Sequence, residues 1–81
     1  MLKKLIKFFV VNLVDRADLA TVTEVDNNGK FVIEIHVAPQ DLAKIIGKEG
    51  RTFRALKSII SIVNTGPRKD LVVDTISEES K

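Results

Sequence analysis

The chain contains no cysteine, no tryptophan and no tyrosine, and its 81 residues include a single histidine, His36. Without cysteine neither a disulfide framework nor a thiolate metal site can be built, and a reducing cytoplasm is the expected compartment. One histidine argues against a metal centre of several imidazoles. No pair of acids marks an evident cleft, and Ser58, Ser61 and the threonines have no histidine base at a useful spacing, so neither catalysis nor a cofactor is expected. No stretch approaches the ~20 apolar residues of a membrane-spanning helix, and membrane insertion is not expected. Lys3 and Lys4 do precede Leu5 and the run Phe8-Phe9-Val10-Val11, but Lys7 interrupts the apolar segment and no small-residue cleavage pattern follows, so an export signal is not expected here.

What is present suits a packed globule: 44% of the residues are hydrophobic and 30% charged. The length falls below the common domain size of roughly 100 to 150 residues, leaving little room for a catalytic cavity and placing function on the surface. Leu2, Ile6, Phe9 and Leu13 recur at helical spacing and predict an amphipathic N-terminal helix packed on a sheet, a membrane-surface helix being the sharper alternative. Thr21 to Asp26 has strand composition, and Asn27-Asn28-Gly29 tolerates the positive φ of a tight hairpin turn. A second strand follows over Lys30 to Val37, where Phe31, Ile33, Ile35 and Val37 alternate with Val32, Glu34 and His36. His36 reads as an ordinary residue of the less apolar face. Pro39 suits the first turn of a helix with Leu42, Ile45 and Ile46 as its apolar stripe, ended by Gly47. A further helix after Gly50 carries Phe53, Leu56, Ile60 and Val63 on one face and stops at Asn64-Thr65-Gly66-Pro67. Leu71 to Ile76 is a last strand. No repeat or linker divides the chain, so residues 1–77 are expected to form one domain and residues 78–81 a polar tail.

The net charge is only +2, but it is unevenly distributed. From Asp41 to Lys57, five basic residues (Lys44, Lys48, Arg51, Arg54, Lys57) face two acids, Asp41 and Glu49. This local field centres on the stretch KIIGKEGRTF, residues 44–53. Gly47 is expected to take the left-handed conformation that ends a helix, and Gly50 lets the backbone turn again, so that between them the chain is bare to close approach. The unpaired N–H groups and positive dipole end of the second helix then point over the glycines, an arrangement that favours an anion. Lys48, Arg51 and Arg54 strengthen it, while Ile45, Ile46 and Phe53 offer an apolar floor. Charge outside and flat apolar faces inside are the features of a single-stranded nucleic acid.

The segment IIGKEGRTF resembles the I-I-G-x-x-G-x-x-hydrophobic signature of KH domains, and the order helix, strand, strand, helix, helix, strand resembles their type II arrangement. Nearly the whole chain, including VAPQDLAKIIGKEGRTFRALKSII, is similar to the small single-KH proteins of bacteria, the KhpA family. The resemblance implies an α+β fold with a three-stranded mixed sheet and helices packed on one face. It also implies single-stranded RNA as partner, held without cleavage in the cytoplasm by an RNA chaperone or post-transcriptional regulator. A Jag-like (KhpB) KH-containing protein is an implied heterodimer partner. The site would comprise Lys44, Ile45, Ile46, Gly47, Lys48, Glu49, Gly50, Arg51, Phe53 and Arg54, with Gly47 to Gly50 as the clamping loop. Glu49 would weaken the grip on phosphate without abolishing it. With four phenylalanines as the only aromatics, stacking is thin and a lone short site binds loosely unless multiplied.

Two other readings use the same residues. Ala43, Gly47, Phe53 and Leu56 match the spacing of a DNA-reading helix-turn-helix, although Gly50 would weaken its recognition helix and strands flank the unit. A pure interaction module would use the glycines only for a tight corner, leaving the clustered charge unexplained. Finally, Ala55, Ile59 and Ile62 form a second stripe roughly 120° around the last helix from the first, which predicts a homodimer through that helix unless the N-terminal helix covers it.

Overall fold

In the computed structural model, which describes residues 2–64, 66 and 68–76, alternation and helical periodicity resolve into three helices and three strands. They run α1 (Leu2–Leu13), β1 (Thr21–Asn27), β2 (Lys30–Val37), α2 (Leu42–Ile46), α3 (Arg51–Val63) and β3 (Lys69–Thr75). Short 3-10 turns at Ala17–Leu19, Pro39–Asp41 and Lys48–Gly50 join them. Thr65 and Pro67 of the expected helix stop, and the expected tail, lie outside the described residues.

β1 and β2 form an antiparallel hairpin closed by Asn28 and Gly29, whose φ angles of 57° and 85° are the pair of positive values that a two-residue primed turn requires. Its register runs from Thr21 opposite His36 to Asn27 opposite Lys30. β3 lies parallel along the other side of β2, from Phe31 opposite Lys69 to Val37 opposite Thr75, so the sheet order is β1-β2-β3. A parallel neighbour demands a crossover, and α2 and α3 supply it. The strand begins at Lys69, two residues before the apolar run that announced it, because pairing to β2 extends past the buried residues.

On the helix-bearing face, Ile33, Ile35 and Val37 of β2 are wholly buried, with Val22 and Leu71 beside them. Phe31, at the hairpin end of the same stripe, is only half-buried. The opposite face is open, with Val25 and Val72 exposed and His36 among its residues as expected. α1 contributes Ile6 and Val10, one helical turn apart and both without exposed surface, with Leu2, Phe9 and Val14 packed around them. The buried stripe is therefore rotated from the expected one: Val10 joins it and Leu13 is exposed. On α3, Leu56 and Ile60 are buried and Phe53 partly so, while Val63 is exposed.

Asp41 has no exposed surface, alone in this among the charged residues described. Its carboxylate accepts hydrogen bonds from the backbone N–H of Asp15 at 3.1 Å and of Arg16 at 2.9 Å, and from Lys44 Nζ at 3.4 Å. The connection after α1 is thus fastened to the start of α2. Burial pushes the Asp41 carboxyl up, but the two backbone donors and the Lys44 ammonium together outweigh it and hold the group below its ordinary value.

Candidate nucleic-acid interface

α2 ends because Gly47 leaves helical geometry, with φ 80° and ψ 171°. This is not the left-handed cap expected of Gly47 but a mirror-extended conformation essentially confined to glycine. Space forbids a side chain as well: a Cβ there would lie 2.3 Å from Thr52 Oγ1 and 2.7 Å from the Thr52 backbone nitrogen. Glu49 and Gly50 both take left-handed angles, φ 56° and 74°, and the Gly50 N–H donates to the Gly47 carbonyl at 3.1 Å. The result is a tight turn with Lys48 and Glu49 on its exposed side. α3 begins at once after Gly50, and no side chain caps its first turn. The Arg51 N–H donates back to the Lys48 carbonyl, and the amides that follow it begin α3 beside the turn with no side-chain acceptor at the cap position.

The charges around the turn divide into paired and free. Arg51 lies 3.6 Å from Glu49, which offsets the carboxylate that stood against phosphate binding. Lys48, Arg54 and Lys57 have no acidic partner among the described residues, and all three are exposed. Lys44 is committed elsewhere: its Nζ sits 2.7 Å from Asp15 Oδ2, and that contact, with help from Asp41, holds its ammonium above the usual lysine range. The apolar floor is also narrower than expected. Ile45 has no exposed surface and belongs to the core, so it cannot touch a base; Ile46 and Phe53, both half-buried, remain.

The structure adds a groove that sequence patterning did not reveal. About 570 Å³ opens between the second half of α3 and the start of β3, lined by Lys57, Ser58, Ser61, Arg68 and Lys69 among others. Gly50, Arg54, Lys57, Ser61 and Asn64 recur three and four residues apart, so turn and groove follow one side of α3. Lys57 Nζ lies 5.6 Å from the centre of the Phe53 ring, bridging the two. β3 has a neighbouring strand on one side only, and its other edge keeps unpaired backbone donors and acceptors. Arg68 is 3.6 Å from Asp70. Lys69 pairs with Glu24 and stands over the Phe31 ring at 5.4 Å, which removes it from the free cations. The groove was hidden because Lys57 and Arg68 are eleven positions apart and meet only through the crossover.

A three-stranded mixed sheet whose parallel pair is joined by two helices hinged on Gly-x-x-Gly defines a type II KH domain. The KH-domain model of the KhpA/KhpB family matches residues 3–75, and the chain belongs to that family. It is 35% identical over 75 residues to the RNA-binding protein KhpA of Clostridium acetobutylicum, covering 93% of this chain and 100% of the relative. The RNA-binding protein KhpA of Aquifex aeolicus is 36% identical over 75 residues, 93% of this chain and 95% of its own. That of Chlamydia pneumoniae is 34% identical over 80 residues, 99% of this chain and 100% of its own. No solved structure matches the chain. The helix-turn-helix reading fails on architecture, since α2 has only five residues and the unit is embedded in a sheet.

Proposed function

We propose that this protein binds single-stranded RNA without cleaving it, gripping phosphates with the Gly47–Gly50 turn and the start of α3. The observation that carries the reading is the turn itself: a glycine-built backbone beside an uncapped helix start, with Lys48, Arg54 and Lys57 unpaired around it. Names of the relatives as RNA-binding proteins agree with it. Bases rest on Ile46 and Phe53, and the strand continues along the groove toward Arg68. Such loose, sequence-tolerant binding suits an RNA chaperone or post-transcriptional regulator in the cytoplasm.

The working form in this reading is a dimer, which sets two weak sites on one body and raises avidity for long RNA. α3 carries the contact through Ala55, Ile59 and Ile62; α1 leaves Ile62 81% exposed, so the stripe is not fully covered. A Jag-like KhpB protein is the alternative mate, in keeping with the joint family. The test is the double substitution K48D/E49D. Both side chains are exposed, so circular dichroism and melting should match the parent while fluorescence anisotropy loses binding to a single-stranded RNA at low salt. Unchanged RNA binding by this variant would overturn the assignment.

A further inference from the structure

α1 has a second face that the core does not use. Its three charged residues, Lys3, Lys4 and Lys7, are all cations and all exposed, and none has an acidic partner among the described residues. Helical spacing puts Lys4, Lys7, Phe8 and Val11 together on the side away from buried Ile6 and Val10. Phe8 is 61% exposed, its ring standing edge-on to Phe9 at 5.8 Å. An aromatic ring set among unpaired ammonium groups complements a flexible polyanion that carries flat apolar faces. We infer that the outer face of α1 is a second contact for single-stranded RNA, with Phe8 stacking a base, Lys4 and Lys7 neutralising phosphates beside it, and exposed Lys3, on the flank of the helix next to the buried stripe, adding to the field. This rests on the reading of the glycine turn as the primary RNA site, and it extends the footprint of one protomer to longer RNA.

An anionic bilayer would also attract the lysines, but a helix lying in a membrane interface needs a broad apolar face to sink into the headgroup layer. The broad face of α1 is already spent on the core through Ile6, Val10, Leu2 and Phe9, leaving Phe8 as the one strongly exposed large apolar residue among the outward positions. That balance of much charge and a single ring favours the nucleic acid.

The test replaces Lys3, Lys4 and Lys7 with glutamine, and separately Phe8 with alanine. Glutamine matches lysine in helix propensity and all four positions are exposed, so the fold should survive. Each variant is titrated with a five-nucleotide and a twenty-nucleotide single-stranded RNA across a salt series, beside K48D/E49D. For the long RNA the triple variant should bind roughly ten-fold or more weakly at 50 mM salt, with a slope of log affinity against log salt shallower by about 1 to 2. F8A should weaken the long RNA several-fold with the slope unchanged, and the short RNA should bind both variants like the parent. Sedimentation equilibrium must show the parent's oligomeric state, since loss of a dimer would also penalise long RNA. Parent-like affinity and slope for the long RNA would overturn the α1 site, as would α1-dependent binding to phosphatidylserine vesicles with RNA binding unaffected. Failure of the turn itself would appear separately, as RNA binding retained by K48D/E49D.

Discussion

Replacing Gly47 with alanine tests the turn on two counts that can be worked from the geometry. The first is conformational: φ 80° with ψ 171° lies where residues with a Cβ are strained by about 1–3 kcal/mol. The second is steric, because the new methyl would sit 2.3 Å from Thr52 Oγ1 and 2.7 Å from both Thr52 Cβ and its backbone nitrogen. A flexible side-chain end could swing aside, but a nitrogen in the first turn of α3 cannot. Together the two terms reach about 3 kcal/mol or more, a large part of the roughly 5–15 kcal/mol that stabilises a domain. At about 4–8 °C per kcal/mol for a domain of this size, the melting temperature should fall by roughly 15 °C or more. Gly50 is the control. Its Cβ would meet only Arg54 Nη1, at 3.3 Å, so Gly50→Ala should cost the left-handed penalty alone, about 1–2 kcal/mol. Adding Thr52→Ala to Gly47→Ala removes the hydroxyl but leaves Cβ and nitrogen, so little stability should return. Thermal and urea unfolding followed by circular dichroism read all of these. A smaller loss for Gly47→Ala than for Gly50→Ala, or full rescue by Thr52→Ala, would refute the reasoning.

Other outcomes follow from single features. Asp41→Asn leaves one of the two backbone N–H groups facing an amide that cannot accept from it, and the melting temperature at neutral pH should drop by roughly 10 °C. The native Asp41 carboxyl binds its proton more weakly than the ordinary value of 3.8, so its contribution is present above that value and is lost as pH falls through the lower native one. The parent's stability should accordingly fall below about pH 4 more steeply than that of Asp41→Asn, as acid titrations of unfolding will show. Binding of a five-nucleotide RNA should have a salt slope of about −1.4 to −2.8, two to four phosphates at −0.7 each; a slope near zero would mean that apolar contact dominates. Ile62 is 81% exposed, so Ile62→Asp should leave the monomer folded, with its far-ultraviolet circular dichroism unchanged, while sedimentation equilibrium shifts from dimer to monomer; a parent already monomeric at tens of micromolar would rule out the interface.

Elements with a strong local signal were legible in the residues alone. The hairpin could be read because Asn28-Gly29 and the alternation of β2 agree, and the glycine turn because two glycines interrupt two apolar stripes. The phase of a short helix was harder: Leu13 and Val10 compete for the buried stripe of α1, and the sheet decides for Val10. Adjacent Ile45 and Ile46 look equivalent as letters, yet α2 sends the first into the core. Lys44 counted as a free cation until Asp15, twenty-nine positions away, took it up. Asp41 gave no signal at all, since its partners are backbone amides of a distant loop and any residue type could supply them.

The most direct measurement is an amide chemical-shift map of the isotope-labelled protein titrated with a five-nucleotide single-stranded RNA at low salt. If the Gly47–Gly50 turn and the start of α3 hold the phosphates, the largest shifts will fall on Ile46 to Phe53 and Arg54, with smaller ones reaching Lys57 and Arg68 along the groove. Shifts confined to the open face of the sheet, with Gly47 to Gly50 unmoved at saturation, would contradict it.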